Sequence, residues 1–263
     1  MRSSWEASVF AALALLYASL AQAADSKEIH QTIPLDRDGR LSIENFKGSI
    51  SVTTWDRPEV EMGVRIDPDG MSSDPNEMEK VALTEVRVSG AGPSVRIRSS
   101  YEHLRSHRFL GIFGFENSSL PLVHFSIQMP ATAHLEIKDY KSEIRVANLR
   151  ADLKIKTYKG AVTVAGLDGG ADLETYKGEM SVEFARFSRD SRLETYKGEF
   201  EVRLPKDSRF HLDADSGRGG AVNSDFELAS HSMNVSGHAL STNAGGPALR
   251  FTTHRGNLKL RSS

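Results

Sequence analysis

The chain has 263 residues, 39% hydrophobic and 26% charged, with 33 Lys+Arg against 35 Asp+Glu and no cysteine. That length can bury a sizeable core, and the near-neutral balance excludes a globally basic nucleic-acid footprint. Without cysteine there is no disulfide framework, thiolate nucleophile, iron–sulfur cluster or cysteine zinc site.

Residues 1–23 read as a secretory signal peptide. Arg2 supplies the early charge, Ala7 to Leu20 is the apolar stretch, and Ala21-Gln22-Ala23 gives a small-x-small cleavage pattern, leaving Ala24 as the new N-terminus. The run is shorter than the roughly 20 apolar residues of a membrane span, and nothing later is long enough for one. Residues 24–263 are expected to form one domain, exported to the periplasm or cell surface.

Leu41 to Val64 alternates apolar and polar residues, the signature of half-buried strands. Asp67-Pro68-Asp69-Gly70 and Ser72-Ser73-Asp74-Pro75 punctuate the pattern, and Asn76–Leu83 fits two helical turns. Strands return at Glu85–Val88 and Val95–Arg98. Residues 101–121 then form an apolar loop holding Phe109, Ile112, Phe113 and Phe115. Such a run either caps the fold or contacts a partner or membrane surface; self-capping is favoured, because it needs no partner.

From about 131 to 260 a repeat organises the chain. Thr-Tyr-Lys-Gly occurs at 157–160, 175–178 and 195–198, preceded by Asp139-Tyr140-Lys141-Ser142, with tyrosine spacings of 18, 18 and 20. Weaker copies are Asn45-Phe46-Lys47-Gly48, Ala214-Asp215-Ser216-Gly217 and Thr253-His254-Arg255-Gly256. Three residues before the tyrosine position stand Ile43, Ile137, Ile155, Leu173, Leu193, Leu212 and Phe251. Four and six residues after it stand pairs such as Ile50/Val52, Val162/Val164 and Phe200/Val202. Each unit is strand, Tyr-Lys-Gly turn, strand, second turn. Glycine suits a turn that needs positive φ, and Ser142 in its place predicts a relaxed or strained turn.

An antiparallel meander and a β-solenoid both satisfy this alternation. Near-constant repeat length favours the solenoid, in which each coil lies in register on the last. Lys-Gly is also not a favoured hairpin pair. The expected fold is therefore all-β: a solenoid with coils of about 18–20 residues, preceded by a short strand region with a small helix.

The opening Leu41–Val52, the following Trp55-Asp56-Arg57-Pro58-Glu59-Val60, the acidic segment near Glu77–Glu79 and Phe125–Pro130 leading into the glycine repeats together resemble a bacterial family of exported β-strand-repeat proteins regarded as candidate adhesins. The resemblance spans about residues 29–260. It implies a single-stranded β-helix-like solenoid and a cell-envelope location, and it implies no enzymatic reaction, cofactor or catalytic residue. Tyrosine-lysine at the turns departs from that family's usual small polar residues.

In a solenoid, Tyr140, Tyr158, Tyr176 and Tyr196 recur at about 4.8 Å per coil, beside Lys141, Lys159, Lys177 and Lys197. Exposed rings and lysines in such a row can bind sugar rings or an anionic polymer. Alternatively the rings stack on one another and seal the edge, with Glu143, Glu179 and Glu199 offsetting the lysines. His103 and His107 lack a convincing third metal ligand. Asp67, Asp69 and Asp74 do not match a calcium loop. The sequence points to a non-catalytic envelope protein that binds an extended ligand: a glycan, the cell wall or a surface protein. No cofactor, metal or nucleic acid is expected, and the oligomeric state is open. The rival readings are a structural spacer and a carbohydrate-active enzyme using Asp213, Asp215 and Arg218, where the repeat degenerates.

Overall fold

The structure is a computed structural model describing residues 26–70, 75–107, 120–217, 220–227, 229–234, 237–241 and 245–263. The expected signal peptide, Phe109, Ile112, Phe113, Phe115, Asp74 and Arg218 lie outside the described residues.

The first part of the chain forms β1 (Lys27–Glu44), β2 (Lys47–Trp55), β3 (Glu59–Asp67), α1 (Pro75–Leu83), β4 (Glu85–Ser100), α2 (Glu102–His107) and β5 (Leu122–Pro130). The repeat array follows as β6 (His134–Ala147), β7 (Leu153–Lys159), β8 (Val162–Leu167), β9 (Ala171–Phe184) and β10 (Ser191–Leu204). The chain ends with β11 (His211–Asp215), β12 (Val222–Ser224), β13 (Ala229–Asn234), β14 (Gly237–Ser241) and β15 (Ala248–Ser262). All the strands belong to one mixed 15-stranded sheet, an all-β, solenoid-like architecture. The two helical turns expected at 76–83 are α1, and part of the segment expected as loop at 101–121 is the short helix α2.

Repeats pair with repeats in parallel and in register. Ile137 lies opposite Ile155, Ile155 opposite Leu173, Leu173 opposite Leu193 and Leu193 opposite Phe251. The second half-coils do the same, with Val162 opposite Met180 and Phe200 opposite Leu258. The apolar residues of both columns are buried. These pairings exclude the antiparallel meander for the repeats. Antiparallel pairing is found towards the two ends, β3 with β1 and β5, and β14 with β11 and β13.

Two details differ from the sequence alignment. The last strand does not follow the 214–217 copy in the stack: β15 lies between β10 and β11. The 214–217 copy is also offset by two, since Leu212 faces Leu249 and Ala214 faces Phe251. Period-two alternation cannot distinguish a register from one shifted by two, because both bury the same face.

The Tyr-Lys-Gly segment is a corner, not a reversal. In β9 the buried positions are Leu173 and Thr175, then Met180 and Val182, while Tyr176 and Lys177 are both exposed. Two consecutive outward residues change the parity of a strand, which turns the coil while its ladder bonds to neighbouring coils continue. The glycine at most of these corners answers close approach. A Cβ on Gly178 would stand 2.3 Å from the Gly160 carbonyl oxygen, and one on Gly198 would stand 2.1 Å from that of Gly178. Neither residue has positive φ; among the aligned repeat glycines Gly48 and Gly160 do, both at 132°, and so does Gly217, at 60°. Of the relaxed or strained turn expected at Ser142, the structure has the relaxed form: among non-glycine described residues only Asn148 has positive φ. Asp139 accepts hydrogen bonds from the Ser142 amide, at 2.7 Å, and from its hydroxyl.

Candidate functional site

At every aligned corner but the 214–217 copy, which carries Asp215, the ring at the tyrosine position of one coil stacks on that of the next. Phe46, Tyr140, Tyr158, Tyr176, Tyr196 and His254 form one ladder, with centroids 4.8–4.9 Å apart and ring planes within 9° of parallel. Five such steps span about 24 Å, at the spacing of hydrogen-bonded strands. Tyr101 closes the Phe46 end edge-on, at 6.1 Å. Its hydroxyl donates to the Pro121 carbonyl at 3.2 Å, and burial raises its pKa to about 12. The four expected tyrosines are thus brought together, and Phe46 and His254 extend their row. Both occupy the tyrosine position of weak copies in the repeat alignment, so the signal was present in the sequence.

Stacking closes the ring faces. Phe46, Tyr140, Tyr176 and Tyr196 nevertheless remain 38–46% exposed. Solvent therefore meets ring edges and hydroxyls, and sugar stacking on flat ring faces is restricted.

Lys141, Lys159, Lys177, Lys197 and Arg255 form a second column, each in register with the next. Lys47 continues it below Lys141, paired with Asp69. The other five are exposed and make no ion pair with any described residue. The expected neutralisation by the glutamates two residues on does not form: Glu143 bonds Arg145, and Glu199 bonds Lys259 at 2.5 Å. Glu179 pairs with no described cation. Elsewhere the coil faces carry cross-coil pairs, Lys154 with Asp172, Lys156 with Glu174 and Arg186 with Asp168. Like charges directly opposite one another in adjacent strands are destabilising, so the open cations stand out.

Grooves flank the ladder. A trough of about 480 Å³ runs between Lys177, Lys197 and Arg255 on one wall and Glu179, Glu199 and Asn257 on the other, floored by the corner glycines. On the other side a cleft of about 710 Å³ is walled by Tyr158, Tyr176, Tyr196 and His254. At its base lies an inward column of Asp139, Thr157, Thr175, Thr195 and Thr253. Asp139 is mostly buried, and that burial pushes its pKa up to about 6 against the opposing pull of the Ser142 and Thr157 hydrogen bonds. The Thr175, Thr195 and Thr253 hydroxyls are buried with no hydrogen-bond partner among the described residues. The sequence reading passed over this column, although it occupies the position before each tyrosine.

The remaining candidates separate. His103 faces Glu85 at 3.1 Å, while Asp67 meets Arg65 at 3.1 Å and Asp69 meets Lys47. Asp213 and Asp215 are exposed on β11, where Asp215 accepts the Gly217 amide at 3.1 Å. One alignment is visible only in three dimensions. Ser49 Oγ lies 2.8 Å from His124 Nδ1, and His124 Nε2 lies 3.4 Å from Asp67. Desolvation lowers the His124 pKa, opposed by Asp67.

Residues 3–261 match the Toastrack DUF4097 family. The chain belongs to that family. No curated protein matches it. Among solved structures it is similar to a candidate cell adhesion protein from Clostridium sporogenes, at 12% identity and a TM-score of 0.41, over 90% of this chain and 100% of that one. It is also similar to a candidate adhesin from Bacteroides fragilis, at 12% identity and a TM-score of 0.39, over 89% and 97% of the two chains. A candidate lipid binding protein from Parabacteroides distasonis shares 12% identity at a TM-score of 0.29, over 88% and 96%. These likenesses are distant. Among the described residues of this Toastrack chain, no helix is long and apolar enough to cross a membrane.

Proposed function

We propose that this Toastrack protein is a non-catalytic, exported envelope scaffold, a single-domain single-stranded β-helix whose tyrosine–lysine face binds an extended ligand. That ligand is a glycan, the cell wall or another surface protein. The observation that carries the reading is the six-ring ladder beside five in-register cations with no ion-pair partner among the described residues. A stack of coils repeats one surface at fixed spacing, which suits a partner that is itself long and repetitive.

The Ser49–His124–Asp67 row does not favour a hydrolase. At Ser49, β2 is paired with β5 on one side and β6 on the other. Its backbone N–H groups are therefore committed to the ladder, and they leave no donor pair for a tetrahedral oxyanion. The spacer reading draws on a specific observation, the closed ring faces, because stacking alone stiffens the corner.

The test replaces Tyr158, Tyr176 and Tyr196 together by Ser, with circular dichroism and a thermal melt as folding checks. Envelope fractions are passed over the intact and substituted proteins, and the N-terminal mass of the exported chain is checked for Ala24. Retention that falls while the fold survives supports the binding scaffold. An intact protein that retains nothing from any fraction overturns it in favour of the spacer.

A further inference from the structure

We infer that the partner of the tyrosine–lysine face is a linear, carboxylated polysaccharide, bound with one acidic sugar per coil along the Lys141–Arg255 column. This rests on the extended-ligand reading and specifies its chemistry.

Three features lead to that class. The first is charge. In a chain with a formal net charge of -2, Lys141, Lys159, Lys177, Lys197 and Arg255 stand in one register column. The carboxylates nearest them are taken by other cations, Glu143 by Arg145 and Glu199 by Lys259. Glu179 is the one such carboxylate in the corner glutamate column left without a described cation. The column keeps a positive field that Glu179 alone does not balance, and an anion arriving from outside relieves its mutual repulsion.

The second feature is the aromatic ladder. With the ring faces closed by stacking, the surface shows ring edges, which carry the positive end of the aromatic quadrupole, and phenolic hydroxyls, which donate hydrogen bonds. Both suit a ligand rich in acceptors. A neutral sugar held by face stacking finds no free face there.

The third is spacing. The rings repeat every 4.8–4.9 Å, so a polymer that meets one cation per coil must present an anionic group at about that interval, which a flexible linear chain of acidic sugars can do by twisting. Phosphates of a B-form strand, about 3.4 Å apart along the axis, fall out of step within two coils.

The experiment measures binding of the full chain to polygalacturonate, to an uncharged linear glucan of matched length, and to inorganic polyphosphate, by calorimetry at 50 and 200 mM salt. Polygalacturonate is expected to bind and to weaken about ten- to a hundredfold over that salt range, as counterion release at several contacts requires. Galacturonate oligomers should gain affinity up to about five sugars, one per unpaired cation, and then level off. Replacing Lys159, Lys177 and Lys197 together by Gln should cost at least tenfold in polygalacturonate affinity, with an unchanged melting profile. If the neutral glucan binds equally well, or the glutamine variant binds polygalacturonate normally, the acidic assignment falls while the extended-ligand reading stands. If polyphosphate binds more tightly at equal charge, the polysaccharide assignment falls. If no polymer binds and envelope fractions also retain nothing, both readings fall together.

Discussion

Replacing Gly198 by Ala separates two reasons for a glycine at the corner. Gly198 does not have positive φ, so a purely conformational argument predicts that alanine stabilises, by about 0.4–1 kcal/mol, through the lower entropy of the unfolded chain. The packing argument predicts the opposite sign. An alanine Cβ would sit 2.1 Å from the Gly178 carbonyl oxygen and 3.2 Å from the Thr195 hydroxyl. Ordinary contact requires the coils to part by about 1 Å, which takes neighbouring ladder bonds out of range. Overpacking costs roughly 1–3 kcal/mol, and each lost hydrogen bond adds about 0.5–1.5 kcal/mol. The expected loss is therefore about 2–4 kcal/mol. Urea denaturation with a common m-value measures it, with exposed Lys197→Ala as a control expected within about 0.5 kcal/mol of the parent. A Gly198→Ala protein as stable as the parent, or more stable, would refute the close-approach account of the glycine column.

Two further outcomes follow from the buried polar column. Burial raises the folded pKa of Asp139 to about 6, above the ordinary value of about 3.9 for an aspartate, so the folded state holds its proton over a window where the unfolded state has lost it. Stability is then greatest below the unfolded value and falls as pH rises through that window, by about 2–3 kcal/mol. Asp139→Asn should remove this fall, seen as a changed difference between the two denaturation-versus-pH curves; parallel curves from pH 4 to 6.5 would contradict the assignment. The Thr195 hydroxyl is buried without a partner among the described residues, so Thr195→Val should raise stability by about 1 kcal/mol, since it removes an uncompensated polar group at nearly constant shape. A clear loss in urea would show that the hydroxyl is satisfied.

Much of the fold is legible because the solenoid writes its geometry into the period. Ile155, Leu173 and Leu193 are apolar and recur at spacings of 18 and 20 residues, and they form one buried column. The tyrosines could be assigned to a common edge for the same reason. Stack order was not legible, because β15 enters between β10 and β11 through hydrogen bonds formed across a long stretch of chain. Which glycines take positive φ, Gly48, Gly160 and Gly217 but not Gly178 or Gly198, was not legible, because a tight turn and a close coil approach select the same residue. The paths of Glu143 and Glu199 were equally hidden: each carboxylate had several cations within a few positions, and side-chain geometry rather than spacing chose Arg145 and Lys259.

Near-identical coils create a problem of register that the same residues address. A stack of Thr-Tyr-Lys-Gly corners can in principle pair any coil with any other, because each offers the same apolar columns and the same ring. The junction between β2 and β6, separated by most of the first half of the chain, is the contact at greatest risk. There the repeat departs from consensus on both sides. Ser142 replaces glycine, Asp139 replaces threonine, and Asn45 precedes Phe46. Asn45 donates to the Ser142 hydroxyl at 3.1 Å and to the Val123 carbonyl at 3.1 Å, while Asp139 accepts from Ser142 and from Thr157 at 3.1 Å. A coil with glycine in place of Ser142 has no hydroxyl for Asn45, so docking β2 on β9 or β10 would bury an amide without that partner. The polar departures thus distinguish this junction from the others in the stack, the manner in which buried polar groups select register in other repetitive assemblies.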